Sequence, residues 1–172
     1  MDVNTITLED IEGQWYIHAT NFPMWKSKSK SQQSFTYTLK TKKNGEKYFL
    51  DQVRYHQKKS KRTITGYDYQ NKTHPNKFTW KGKGILFFAK SKWQFDIMSV
   101  DKSWAVISFS KTAFTKQGVD VISREQTISG ETMNEITDAI YNHETLRSKA
   151  KNLFTVKQSG PKPEFSFDKL NE

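Results

Sequence analysis

The sequence predicts an all-β domain of eight short antiparallel strands, arranged as a sandwich or closed barrel, with one late α-helix. Three observations predict it. Apolar and polar residues alternate with period 2 along most of the chain. The alternating runs follow one another through mostly short connections, including Asn44-Gly45 and Asp101-Lys102, and sequential short strands of this kind read as a sandwich or barrel. Helical spacing of apolar residues stands out in one stretch only, after the last strand.

The first strand, residues 13–20, sets Trp15, Ile17 and Ala19 against Gln14, Tyr16 and His18. The second, 34–40, alternates Phe35, Tyr37 and Leu39 with Ser34, Thr36 and Thr38. The third, 47–56, follows Asn44-Gly45, a dipeptide suited to the positive φ angles of a tight hairpin. Strands at 62–69, 76–81, 92–100, 103–109 and 118–124 complete the eight. Ser129 is then a suitable N-cap, and Glu131 is an acid suited to the first turn. Met133, Ile136 and Ile140 recur at helical spacing, so a helix is expected at about 130–143. Residues 153–157 are a candidate ninth strand. Residues 1–158 read as one barrel domain and 159–172 as a polar C-terminal tail.

Composition narrows the function classes. In 172 residues the aromatic fraction is 14%, which excludes general disorder. There is no apolar run of ~18 residues to span a membrane. The opening MDVNTITLED has neither a basic nor an apolar leader region, so the expected compartment is cytoplasmic unless a leader was removed. Cysteine is absent, which removes disulfides, thiolate catalysis and sulfur ligands. The net charge is +10, and it is unevenly spread: residues 26–92 hold 18 Lys or Arg against 3 acids. Such a segment suits anionic partners, and it equally suits a solvated lysine-rich surface.

No catalytic constellation is visible. His18, His56, His74 and His143 share no metal-ligand spacing, so no metal is expected. The 8 glycines are isolated, and no G-x-S-x-G occurs. No cofactor is expected, and no residue is assigned as catalytic. The densest basic run, Lys58-Lys59-Ser60-Lys61-Arg62, falls at a hairpin turn, and eight sequential strands differ from the five of an oligonucleotide-binding barrel. Nucleic acid is therefore disfavoured as a partner.

Three features in order resemble the lipocalin family of the calycin superfamily. Gly13-Gln14-Trp15-Tyr16 matches the family's G-x-W at the start of its first strand. Val100-Asp101-Lys102-Ser103-Trp104-Ala105 partly matches the turn between its sixth and seventh strands, keeping only the aromatic-Ala end of T-D-Y-x-x-Y-A. Val121-Ile122-Ser123-Arg124 is similar to the I-L-S-R that ends the eighth strand in bacterial and plant lipocalins. The resemblance covers about residues 11–158. It implies an eight-stranded antiparallel up-and-down barrel, a calyx, with one C-terminal α-helix packed outside. It also implies structural roles for Gly13, Trp15 and Arg124, with the arginine across the tryptophan at the closed end.

A calyx implies a lining drawn from one alternate set per strand. That set is Ile17 and Ala19, in phase with Trp15, then Phe35, Tyr37 and Leu39, then Tyr67 and Tyr69. The sixth strand adds Trp93, Phe95 and Ile97, the seventh Ala105, Ile107 and Phe109, and the eighth Asp120 and Ile122. A loop over residues 21–33 would cover the open end, with Trp25 over the mouth. Lys26, Lys28, Arg54 and Lys111 are candidate partners for an acidic ligand head. The expected function is binding or transport of a small hydrophobic, acidic ligand such as a fatty acid. The alternatives are an isomerase- or cyclase-type enzyme on the same scaffold, or a basic surface module touching an anionic membrane or nucleic acid.

Overall fold

Asn44-Gly45 lies in the first hairpin connection, but only the glycine of the pair takes a positive φ, and the connection spans residues 42–46. Gly45 takes φ +84° and closes the turn between two long strands, β2 (Lys30–Thr41) and β3 (Lys47–Gln57). The structure is a computed structural model that describes residues 1–86, 89–112 and 116–172. Seven further strands are β1 (Gly13–Thr20), β4 (Ser60–Gln70), β5 (Lys77–Gly82), β6 (Lys90–Met98), β7 (Trp104–Phe109), β8 (Gly118–Ser123) and the short β9 (Phe154–Thr155). Consecutive strands from β2 to β8 pair antiparallel, and β1 pairs with both β8 and β2. That last pairing closes an eight-stranded up-and-down barrel, which removes the exposed edges an open sheet would carry.

The closure is incomplete along β1. Its first half, Gly13 to Tyr16, pairs with β2, whereas Ala19 and Thr20 pair with β9. The seam therefore parts toward one end of the barrel. At the opposite end the chain before β1 acts as a plug. Helix α1 (Leu8–Ile11) is held by a reciprocal capping box between Thr7 and Asp10, and Ile6, Leu8 and Ile11 join the core inside the barrel.

Apolar residues divide into two clusters. The inner one fills the closed half of the barrel, where Trp15, Ile17, Phe49, Phe78, Phe95 and Ile107 are all buried. The outer one joins Trp104, Val106, Val119 and Val121 to α2 (Gly130–Asn142) through Met133, Ile136 and Ile140. Ser129 caps α2 by accepting from the Thr132 amide.

A single helix was expected here, and the structure has two. The α2 axis breaks at His143, which is extended (φ −91°, ψ 107°) and whose ring accepts from the Leu146 amide to cap α3 (Glu144–Lys149). Residues beyond 159 read as polar, yet Phe167 and Leu170 are buried in the outer cluster.

Candidate ligand cavity in the calyx

The closed end is built around Trp15. Its indole is fully buried and its Nε1–H donates to the Ile11 carbonyl at 2.8 Å. The Arg124 guanidinium lies 3.7 Å from the ring centroid. Arg124 also donates to the carbonyls of Asp10 (2.8 Å) and Gln14 (3.2 Å), which ties α1 and β1 to the end of β8. Burial brings the Arg124 pKa down to about 10, so it stays charged at neutral pH. Gly13 sits at φ +104°, and a Cβ there would lie 3.2 Å from Arg124 Nη1. Both the backbone angle and the space call for glycine.

Above this packed half lies a cavity of about 220 Å³. Trp25, Phe35, Val53, Trp80, Trp93 and Phe109 line it with rings and methyl groups. Its cover is the segment after β1. Phe22 stands edge-on to Phe109 at 5.2 Å, and Trp25 stands edge-on to Tyr55 at the same distance. Gly118 makes room for this cover, because a Cβ there would fall 2.3 Å from the Phe22 ring. Lys30 Nζ is bonded to the Met24 carbonyl and lies 5.4 Å from both the Trp25 and Tyr55 rings. So Lys30 holds the cover in place instead of facing solvent freely. Exposed Lys90 is the one cation lining the cavity among the described residues.

The buried polar content is acidic. Asp51 and Asp120 both line the cavity, while Asp68 lies behind Trp93 and accepts from its indole N–H at 2.7 Å. All three are at least 96% buried. Among the described residues none of them forms an ion pair. Among the described residues, one carboxyl oxygen of each has no hydrogen-bond partner: Asp51 Oδ1, Asp68 Oδ2 and Asp120 Oδ1.

Burial disfavours the charged carboxylate. It raises Asp68 to about 7 against the hydrogen bonds from Trp93 and Asp51, and Asp120 to about 7 against a hydrogen bond from Thr20. Asp51 is pushed well above the usual range by burial and then by the charge of Asp68. Tyr37 is likewise raised, first by its burial and then by the three acids.

Of the sequence-nominated residues, Trp25, Phe35, Tyr37, Trp93, Phe109 and Asp120 line the cavity. Ile17, Phe95, Ala105, Ile107 and Ile122 belong to the packed inner core, and half-buried Leu39 packs against it. Ala19 and Ile97 face the outer cluster instead. Each follows a β-bulge, between Ile17 and Ala19 in one case and between Phe95 and Ile97 in the other. The extra residues, His18 and Asp96, reverse the alternation beyond them.

Tyr67 and Tyr69 are on the outer wall as well. In β4 the buried positions are Gly66 and Asp68, and both tyrosines pack against Tyr48 outside. Lys42 and Lys81 lie over Tyr69 and Lys83 over Tyr67, at 4.7, 5.1 and 6.0 Å. The nominated head-group cations also lie away from the cavity. Lys26 is exposed over Phe154, Lys28 and Lys111 are exposed, and Arg54 is exposed and bonded to Gln52.

Sequence reasoning missed several lining residues, among them Asp51, Val53, Ile64 and Trp80. A local signal existed for Asp51 and Val53. Phe49, Asp51 and Val53 share one phase of β3, so an inward Phe49 carries Asp51 inward too.

Comparison with known proteins bears on the fold. No protein-family model matches the chain, and no curated protein matches it. Among solved structures, lobster apocrustacyanin A1 superposes with a TM-score of 0.63 at 13% identity, covering 90% of this chain and 81% of that one. Apocrustacyanin C2 gives 0.62 at 13% identity, covering 88% and 79%. The cockroach allergen Per a 4 gives 0.64 at 13% identity, covering 92% of each chain. These neighbours are lipocalins, and the likeness shows that this chain has their fold.

Proposed function

We propose that the chain binds a small hydrophobic molecule in the open half of its calyx, beneath the cover formed by Phe22, Met24 and Trp25. The observation that carries this reading is the cavity. A barrel whose closed half is packed with large side chains keeps about 220 Å³ unfilled at the other end, with mainly aromatic walls. Native interiors leave few voids larger than a water molecule, so an unfilled apolar space of this size suits a guest. Burial of the guest's apolar surface would supply ~25 cal/mol per Å². The volume lies below the ~300–1,000 Å³ of drug-sized pockets, which favours a compact ligand over a long acyl chain.

An acidic ligand would find Lys90 at the rim as its cation, with Lys26 and Lys28 farther out on the cover. Within the fold, the Val121-Ile122-Ser123-Arg124 ending supports affiliation with bacterial and plant lipocalins. The test uses the chain's own tryptophans, since Trp25, Trp80 and Trp93 line the cavity. Organic extraction and mass spectrometry should recover a copurified small molecule. Titration of ligand-free protein with small aromatic and aliphatic compounds should change Trp emission saturably. A broad panel giving no saturable change would refute the reading. It would move attention to the outer wall, where Tyr48, Tyr67 and Tyr69 carry Lys42, Lys81 and Lys83.

A further inference from the structure

The calyx is lined at its buried end by acids, whereas the sequence points to basic residues meeting an acidic guest. We propose that the preferred guest is a compact hydrophobic amine, its ammonium group held by one of the two buried carboxyls of the cavity, Asp51 or Asp120, and its apolar body packed on Phe35, Trp80 and Trp93. The inference rests on the reading of the cavity as a ligand site and names the ligand's chemistry.

Three observations carry it. First, Asp51 and Asp120 are 96% and 99% buried, both line the cavity, and each has a carboxyl oxygen with no partner among the described residues. A buried polar atom left unpaired costs ~1–3 kcal/mol, and more if it is charged. The structure carries that cost at two residues that line one cavity; both oxygens are closed to water, and a turn of either carboxyl would present one to a bound donor.

Second, among the described residues the groups around these acids include no counter-cation. From β1 comes Thr20, whose hydroxyl lowers the Asp120 pKa against its burial. From β2 comes Tyr37, from β4 Asp68, and from β5 Trp80, whose indole lowers the Asp51 pKa against its burial. From β6, Trp93 donates to Asp68, and from β7 comes Phe109. None of these is a cation at neutral pH, and exposed Lys90 stands at the rim. Third, the walls are aromatic faces, which attract an ammonium group more strongly when water is excluded.

The competing head groups fit less well. A carboxylate beside Asp51 and Asp120 would add like charge in a poorly solvated space. A hydrocarbon would leave both oxygens unpaired. An ammonium ion supplies three donors and the opposite charge. Holding it requires an ionised carboxyl, so bound amine and bound proton compete at the holding carboxyl; burial raises Asp120 to about 7 and pushes Asp51 well above the usual range.

The experiment is calorimetric titration with three probes that differ only in the head group: 2-phenylethylamine, 2-phenylethanol and phenylacetate. Wild-type protein at pH 8 should bind the amine at least tenfold more tightly than the alcohol, ~1.4 kcal/mol, and phenylacetate least. In one of Asp51→Asn and Asp120→Asn, the one that removes the holding carboxyl, the amine should lose about tenfold or more, while the alcohol stays within about twofold in both. The retained alcohol binding doubles as a control for folding. Below pH 7 the amine's affinity should fall toward tenfold per pH unit, and the alcohol's should not. Equal or tighter binding of the alcohol or phenylacetate would overturn the inference and leave the cavity reading standing. Amine binding that ignores both substitutions would overturn it too. If none of the three probes binds, the cavity reading itself fails and the inference falls with it.

Discussion

Truncation of Trp15 tests whether the closed end holds the barrel together as the geometry implies. Trp15→Ala removes a fully buried indole, and large aromatic truncations in cores cost ~3–5 kcal/mol. It also leaves the Ile11 carbonyl without its indole donor, so the upper part of that range is expected. In a domain of this size each kcal/mol shifts Tm by ~2–4 °C, which makes the fall about 10 °C or more. Arg124→Ala removes two hydrogen bonds to the carbonyls of Asp10 and Gln14 and the stacking on Trp15. The guanidinium is partly exposed, so ~2–3 kcal/mol is expected, less than for Trp15.

The informative quantity is the coupling between the two. A guanidinium over an indole face at 3.7 Å should contribute ~0.5–2 kcal/mol, and residues in contact are non-additive. Urea unfolding of wild type, both single variants and the double variant yields this term directly. The double variant should lose less than the sum of the singles by about that amount. Additivity within ~0.3 kcal/mol would refute the contact, and with it the assignment of Arg124 as the clasp of the closed end.

Buried acids set a pH signature. Asp68 and Asp120, raised to about 7, keep protons that the unfolded chain releases near ~3.9. Between about pH 4 and 7 the folded state therefore binds more protons, and these groups make stability fall as pH rises across that window. Asp120→Asn removes one such term, so its stability relative to wild type should rise from pH 4.5 to 7.5 in urea denaturation; a constant difference would refute the assignment. Val53→Trp should fill the cavity and weaken ligand binding at least tenfold with far-UV circular dichroism unchanged, whereas retained affinity would place the ligand elsewhere. Gly118→Ala forces a Cβ to 2.3 Å from the Phe22 ring, so a loss of ~1–3 kcal/mol by overpacking is expected, and no loss would show that Phe22 does not pack there.

Much of the architecture was legible locally. Period-2 alternation, Asn44-Gly45 and the Ser129 cap are short-range facts about backbone and side chain, and each strand and the main helix lie where those facts put them. The G-x-W at Gly13 and Trp15 and the late Arg124 were legible as a pair and are found in contact. The phase of the lining was only partly legible. One bulged residue, His18 or Asp96, reverses the face of everything beyond it. A bulge arises from the register between two strands, so neither strand encodes it alone.

The β4 tyrosines show the other limit. Alternation offers two faces, Tyr67 and Tyr69 or Gly66 and Asp68, and aromaticity favours the first as interior. The barrel chose the second. Gly66 leaves room for the Trp80 ring, which a Cβ there would overlap at 2.2 Å, and Asp68 receives the Trp93 indole N–H. Residues 14 and 25 positions away in the chain settle which side of β4 is inside. The acidic character of the cavity has the same origin. Composition and charge are one-dimensional and make residues 26–92 strongly basic. Closure of the sheet turns the lysines outward and gathers Asp51, Asp68 and Asp120 within, because only a closed barrel brings strands three, four and eight to a common interior.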